Sequence, residues 1–289
     1  MRDLVSPFFY TDSYAHRKNI ISDEYNSEEL FTLSELKAGV NSVTFESEGV
    51  SLKGNLYLPT DFNPSVRYPG VVVTGSWTTV KEQMAGLYAE RLAAHGFITL
   101  AFDFRHYGES GDEPRNYEVP AHKIADICSA VSFLETLPEV DTRRIGGLGV
   151  CFSAGLIAAA SVQDQRIGSI VLVAPWLHNR EILNSAYGNP AELQRRLDAA
   201  DEAHAKYETS GEVEVMVGAS FTDPNAAMIV DNDYYLNPKR GGVPEWPNRV
   251  AVMTWRPWAE FDGVAVATQV RVPRGVINTT PDYSFLARP

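Results

Sequence analysis

A chain of 289 residues, 44% hydrophobic and 21% charged, has the make-up of a globular protein with one large α/β domain and an inserted cap, or of two modest domains. Its formal net charge of -12, from 25 basic against 37 acidic side chains, argues against nucleic acid and anionic membrane surfaces as partners, since both need basic patches. Two cysteines are too few for a disulfide framework. With no apolar leader at the N-terminus and no window of ~20 apolar residues, a cytoplasmic, membrane-free protein is expected.

In chain order, residues 1–39 are polar and aromatic by turns and predict a helical N-terminal extension. Residues 42–46 and 52–58 alternate with period two around Glu48-Gly49-Val50, which predicts an antiparallel hairpin at a sheet edge. From Gly70 the pattern changes. Short apolar runs at 70–75, 97–103, 144–149 and 167–174 are separated by helical stretches at 81–94 and 121–137. Strands apolar on both faces that alternate with helices predict a mostly parallel sheet, covered on both sides and joined by right-handed crossovers. After Ala174-Pro175-Trp176 the alternation stops. Residues 177–258 carry amphipathic segments at 190–207 and 225–235 among aromatic, proline-rich connectors. They read as a helical cap over the C-terminal edge of the sheet, where ligands bind in open α/β folds. A second small domain with no part in the site is the alternative. Residues 259–289 return to the core, with a strand over 269–277.

The run Gly147-Leu148-Gly149-Val150-Cys151-Phe152-Ser153-Ala154-Gly155 joins the strand at 144–149 to the small-residue helix beginning Leu156-Ile157-Ala158-Ala159-Ala160. A sharp turn between strand and helix needs small neighbours, and Gly149 and Ser153 supply them on either side of Cys151. A thiol at a helix N-terminus feels the positive end of the dipole, so a depressed pKa is expected. Cys151 is therefore the candidate nucleophile. Ser153, in a turn shifted by two residues, is the alternative nucleophile, and an inert buried thiol is the third reading.

Three further motifs end predicted strands: Thr74-Gly75-Ser76-Trp77-Thr78-Thr79; the turn from Asp103 through Arg105-His106-Tyr107-Gly108-Glu109-Ser110-Gly111; and Ala174-Pro175-Trp176-Leu177-His178. Asp103 and Arg105 are expected to hydrogen-bond the neighbouring loops. His106 is expected to be structural, and His178 to lie on the surface or in the cap. Metal-binding spacings such as H-E-x-x-H and C-x-x-C are absent, as is a phosphate loop. Gly147-Leu148-Gly149 lacks the third glycine of a dinucleotide site, because Phe152 stands there. No metal and no cofactor are expected.

Together, Thr74-Gly75-Ser76 with Val80-Lys81-Glu82-Gln83, the Arg105–Gly111 turn and Gly149-Val150-Cys151 resemble a branch of the α/β-hydrolase superfamily, over roughly residues 40–272. That branch includes fungal polyketide transferases and thiohydrolases, and it resembles dienelactone hydrolase in its cysteine at the nucleophile elbow. The resemblance implies a core over 40–176, a cap over 177–258 and acyl transfer through Cys151. It also implies an oxyanion hole from the backbone N–H groups of Phe152 and Ser76, with Trp77 the second choice to Ser76.

The same resemblance places an acid and then a histidine after the nucleophile. The last histidine is His204, and Ile277-Asn278-Thr279-Thr280-Pro281 stands where the acid belongs, with Asp282 the acid candidate nearby. The closing strand, its helix and the general base are expected to be missing from a truncated or divergent C-terminus, unless His106 or His178 acts as base. The implied function is an acyl hydrolase or acyltransferase on a fairly large, apolar ester or thioester. The acyl group is small-molecule, free or carrier-bound, with a polyketide as one option. Trp246, Trp255, Trp258, Tyr234, Tyr235 and Phe261 are the expected pocket aromatics. The alternative is a catalytically impaired homologue kept for binding, or a truncated gene product.

Overall fold

Alternation over the first described strands closes a hairpin. β1 (Gly39–Ser47) and β2 (Val50–Leu58) pair antiparallel, from Gly39 opposite Leu58 to Ser47 opposite Val50. Glu48 and Gly49 join them with φ of 49° and 83°, the two positive values of a tight turn whose twist matches the strands. The computed structural model describes residues 36–230 and 233–278. The N-terminal extension, up to residue 35, and Asp282 lie outside the described residues.

The four apolar runs become β3 (Tyr68–Thr74), β4 (Ile98–Phe102), β5 (Val140–Val150) and β6 (Ile167–Val173). With the hairpin and β11 (Arg274–Ile277) they form a seven-stranded sheet in the order β1-β2-β4-β3-β5-β6-β11. The hairpin is antiparallel to β4, and the other pairings are parallel.

Parallel neighbours need crossovers, which α1 (Met84–Ala93), α2 (Pro120–Thr136) and α3 (Phe152–Gln163) supply. Ala85, Ala89 and Ala93 recur every four residues along α1, and their small side chains let the helix settle on Val73, Ala101 and Leu148 of the sheet. In α3 every residue from Phe152 to Ser161 is buried, which explains a run of small apolar residues with no polar face.

After β6 come α4 (Arg180–Ala186) and α5 (Pro190–Ser210). Asn189 caps α5 by accepting the N–H groups of Ala191 and Glu192 at 3.0 Å, Pro190 occupies the first turn, and Gly211 ends the helix in the left-handed region. The amphipathic segment expected over 225–235 is not a helix. Its described part holds β9 (Met228–Ile229), parallel to β8 (Ala219–Ser220), followed by turns. The physical reason is local competition: the Asp223 carboxylate takes the Asn225 N–H at 2.9 Å, and Pro224 and Pro238 bracket the stretch.

β7 (Val215–Val217) pairs with β10 (Arg249–Ala251), and α6 (Trp255–Glu260) and α7 (Gly263–Gln269) lead back to the sheet. The return strand is shorter than expected because α7 runs through Gln269. All the described strands and helices fall in one compact unit that starts at Lys37. No described helix is long and apolar enough to cross a membrane.

Candidate active site

β5 ends at Val150 and α3 begins at Phe152, so Cys151 alone makes the turn, with φ 56° and ψ -119°. A non-glycine residue in that region is strained and persists only where its surroundings hold it. Here the Cys151 N–H donates to Val173 O at 2.9 Å, and its carbonyl accepts from Ala154 and Trp176 at 3.1 and 3.0 Å. Gly149 is required beneath the turn, because a Cβ there would sit 2.4 Å from Ser153 O and 2.7 Å from Ala154 Cα. Ser153 is the second residue of α3, fully buried, and its hydroxyl has no hydrogen-bond partner.

Three groups pull the Cys151 thiol pKa down: the Ser76 side chain and the backbone N–H groups of Phe152 and Trp77. Of the two β3-loop residues, Trp77 acts on the thiol through its backbone and Ser76 through its side chain. Burial is the largest influence on the thiol and pushes its pKa up, against the three donors. The depressed pKa expected from the helix terminus is therefore reversed, although the residue as a whole keeps part of its surface exposed.

Aromatic rings from distant segments surround this point. Trp77 stacks on Trp258 with centroids 4.2 Å apart and meets Trp255 edge-on at 5.7 Å. Tyr235 reaches the Ser76 hydroxyl at 2.8 Å, and Trp246 donates to Thr78 O at 2.9 Å. Tyr187, between α4 and α5, packs on Trp255 and feels the charge of Cys151. The Phe152 ring lies flat against His178, with centroids 5.6 Å apart. An open indentation on α5, lined by Ala191, Gln194 and Arg195 among others, includes none of these groups.

His178 is fully buried, not on the surface. Its Nδ1 accepts from Trp176 Nε1 at 3.2 Å and its Nε2–H donates to the Trp258 carbonyl at 2.9 Å, so both nitrogens are committed. Burial drives its pKa down to about 4. His106 has φ 73° and faces His122 at 3.4 Å and Asp112 at 3.8 Å. Burial likewise brings it to about 4. Neither histidine is among the groups that shift the Cys151 thiol.

The loop that carries Ser76 and Trp77 is anchored by Lys81. Its backbone N–H and its ammonium each reach an Asp103 oxygen at 2.8 Å. The ammonium also meets Glu82 at 2.7 Å and Glu109 at 2.6 Å. Burial works against this charge, but the Asp103 carboxylate and the hydrogen bonds outweigh it and raise the lysine pKa. Glu82, Asp103 and Glu109 are spaced as a metal site would be, yet the cation among them is Lys81's own. Arg105 is held in the same manner: its backbone N–H and its guanidinium bond Asp126 at 2.7–3.0 Å.

A strained residue between a parallel strand and a buried helix, facing donors from the β3 loop, is an α/β-hydrolase arrangement. The model of the Alpha/beta hydrolase family matches residues 71–283, and the chain belongs to that family. It is 34% identical over 236 residues to the uncharacterized protein YcjY of Escherichia coli K12, covering 78% of this chain and 76% of that one. A second relative is hypothetical protein PA2218 of Pseudomonas aeruginosa, 33% identical over 79% of this chain and 62% of its own length. The crystal structure of PA2218 superposes with a TM-score of 0.74, at 29% identity, over 90% of this chain and 83% of that one. A thiohydrolase of Eupenicillium brefeldianum is 27% identical over 80% of this chain and 74% of its own.

Proposed function

We propose that this α/β-hydrolase is a cofactor-independent acyl hydrolase or acyltransferase that cleaves an ester or thioester through an acyl-enzyme on Cys151. The observation that carries the reading is the positive φ of Cys151 at the junction of β5 and α3, beside the backbone N–H groups of Phe152 and Trp77 that act on its thiol. The sulfur attacks the carbonyl carbon and forms the C–S bond, and the two N–H groups take the charge that develops on oxygen. The bond to the leaving group then breaks, and the thiol's proton leaves with the released alcohol or thiol. Water or an acceptor alcohol next attacks the acyl-enzyme, releases acid or ester, and returns a proton to Cys151.

Within this reading Trp77 replaces Ser76 as the backbone donor. Segment 177–258 is the cap, and Asp282 is the acid that the sequence offers. The indole and phenol rings of Trp77, Trp255, Trp258 and Tyr187 suit a large apolar acyl group, a polyketide chain among them. The name of the Eupenicillium relative points the same way. The reading keeps a small-molecule, carrier-bound or free substrate and a cytoplasmic setting.

Turnover of short and medium p-nitrophenyl esters and of an acyl thioester, by the parent chain, Cys151→Ala and Ser153→Ala, tests the assignment. Loss confined to Cys151→Ala is the expected result. Loss in Ser153→Ala alone would move the nucleophile to Ser153. A binding role for the same pocket is the second reading, favoured by the burial that raises the thiol and by the two committed nitrogens of His178. A folded parent that turns over none of these substrates, yet binds the esters, would select it.

A further inference from the structure

Two of the described arginines are buried, and they are held differently: Arg105 is 5% exposed and Arg196 7%. The Nε and Nη2 of Arg105 both donate to Asp126 Oδ1, at 2.9 and 2.7 Å, and Nη2 also meets Glu48 at 3.1 Å. Arg196, on α5, donates from Nη2 to the Pro224 carbonyl at 2.8 Å. Its buried Nε has no hydrogen-bond partner among the described residues. Glu192 Oε1 lies 3.9 Å from that Nε but is taken up at 2.5 Å by Arg195. Asp223, the other carboxylate that acts on Arg196, accepts the Asn225 N–H. Burial consequently prevails at Arg196 and draws its pKa down, whereas Asp126 and Glu48 outweigh it at Arg105.

Aromatic rings flank the same guanidinium. Its carbon lies 4.9 Å from the Trp255 centroid and 5.2 Å from that of Tyr187. Trp255 packs on Trp258 at 5.6 Å, and Trp258 on Phe152 at 5.9 Å, so a continuous run of rings joins Arg196 to the residue that follows Cys151. Ring faces attract a cation, but a buried N–H still needs an oxygen to accept from it. Buried charges are kept where an opposite charge pairs with them, and the planar guanidinium fork fits a carboxylate. We propose that Arg196 is a specificity-determining residue, whose Nε–H anchors a carboxylate at the far end of the substrate's acyl group. The chain between that carboxylate and the reacting carbonyl lies along Trp255 and Trp258. The substrate is then a half-ester or half-thioester of a dicarboxylic acid.

The inference rests on the acyl-enzyme reading of Cys151, and its test has one arm with turnover and one without. In the first, kcat/KM is measured for the p-nitrophenyl monoesters of adipic and suberic acid, and for neutral p-nitrophenyl hexanoate and octanoate. The parent should favour the charged member of each pair. Arg196→Gln should lower that preference about tenfold, and Arg196→Lys, which keeps the charge but not the fork, by less. In the second arm, monomethyl adipate and methyl hexanoate are titrated calorimetrically into Cys151→Ala. The charged ligand should bind about tenfold tighter, and adding Arg196→Gln should abolish the difference. An unfolding curve accompanies each variant.

A parent with no preference for the charged esters overturns the proposal, as does a folded Arg196→Gln that keeps the preference. Equal binding of the charged and neutral ligands by Cys151→Ala overturns it as well. Should Arg196→Gln not fold, Arg196→Lys decides alone: a reduced preference supports the anchor and an unchanged one overturns it. Absent turnover alongside charge-selective binding would remove the proposed function and leave this assignment standing.

Discussion

Trp77 and Trp258 lie face to face, 4.2 Å apart and 16° from parallel, although 181 positions separate them in the chain. Trp77 presents a backbone N–H to the Cys151 sulfur, and the Trp258 carbonyl holds His178 in place. The stack therefore clamps the β3 loop to the helix that follows the cap elements. Trp258→Ala should cost about 3–5 kcal/mol of stability, as large-to-small changes in a packed aromatic core do. It should also lower esterase turnover in protein that is still folded, because Trp77 loses its backstop. Urea unfolding and turnover of a p-nitrophenyl ester check both, and unchanged turnover would show that the loop holds its shape without the stack.

Lys81 and Asp103 are 3% and 0% exposed, and the lysine joins the β3 loop to the end of β4. Lys81→Met keeps the length of the side chain and leaves a buried carboxylate without its counter-charge. Removing one member of a buried pair typically costs about 3–5 kcal/mol. The double variant Lys81→Met/Asp103→Asn should recover part of that loss. Failure of the second change to recover any stability would mean that Glu82 and Glu109, not Asp103, are the partners that matter.

The φ of 56° at Cys151 makes an unusual prediction about inactive variants. Alanine keeps a Cβ in the strained region and glycine does not. Cys151→Gly should therefore be more stable than Cys151→Ala by about 1 kcal/mol, even though glycine gains more freedom on unfolding. Comparing thermal midpoints of the two variants checks this. A less stable glycine variant would show that the turn is relaxed at this position.

Acid should weaken the fold through His178. Burial holds its pKa at about 4 against an ordinary 6.5, so between those values the unfolded chain binds a proton that the folded chain refuses. The stabilisation is complete above pH 6.5 and falls away as pH drops toward about 4, by roughly 3 kcal/mol in total. His106, also brought to about 4, acts with the same sign. The parent should lose more urea resistance between pH 6.5 and 5 than His178→Phe does; equal losses would mean that the ring titrates normally.

Much of this was legible in the residues themselves. The hairpin was, because period-two alternation and a Glu48-Gly49 turn are local signals. The elbow was, because an apolar strand running into Gly149-Val150-Cys151 and a small-residue helix admits few other geometries. Which backbone donor meets the sulfur was not. That depends on how the loop after β3 is pinned by Asp103, 22 positions away. The direction of the thiol pKa was hidden for a similar reason, since a helix terminus is visible in sequence and packing against Leu148, Val150 and Val173 is not. His178 is buried by rings from Trp258 and Phe261, which no window around it contains.

The chain has five tryptophans, and all of them lie among the described residues. Trp77, Trp255 and Trp258 form one aromatic cluster, Trp176 donates to His178, and Trp246 donates to the carbonyl of Thr78. The protein's indole fluorescence consequently arises from these contacts around the β3 loop and His178. An acyl group arriving there would change the emission without any label. Fraying of the β1–β2 hairpin at the far edge of the sheet would pass unseen by the same light.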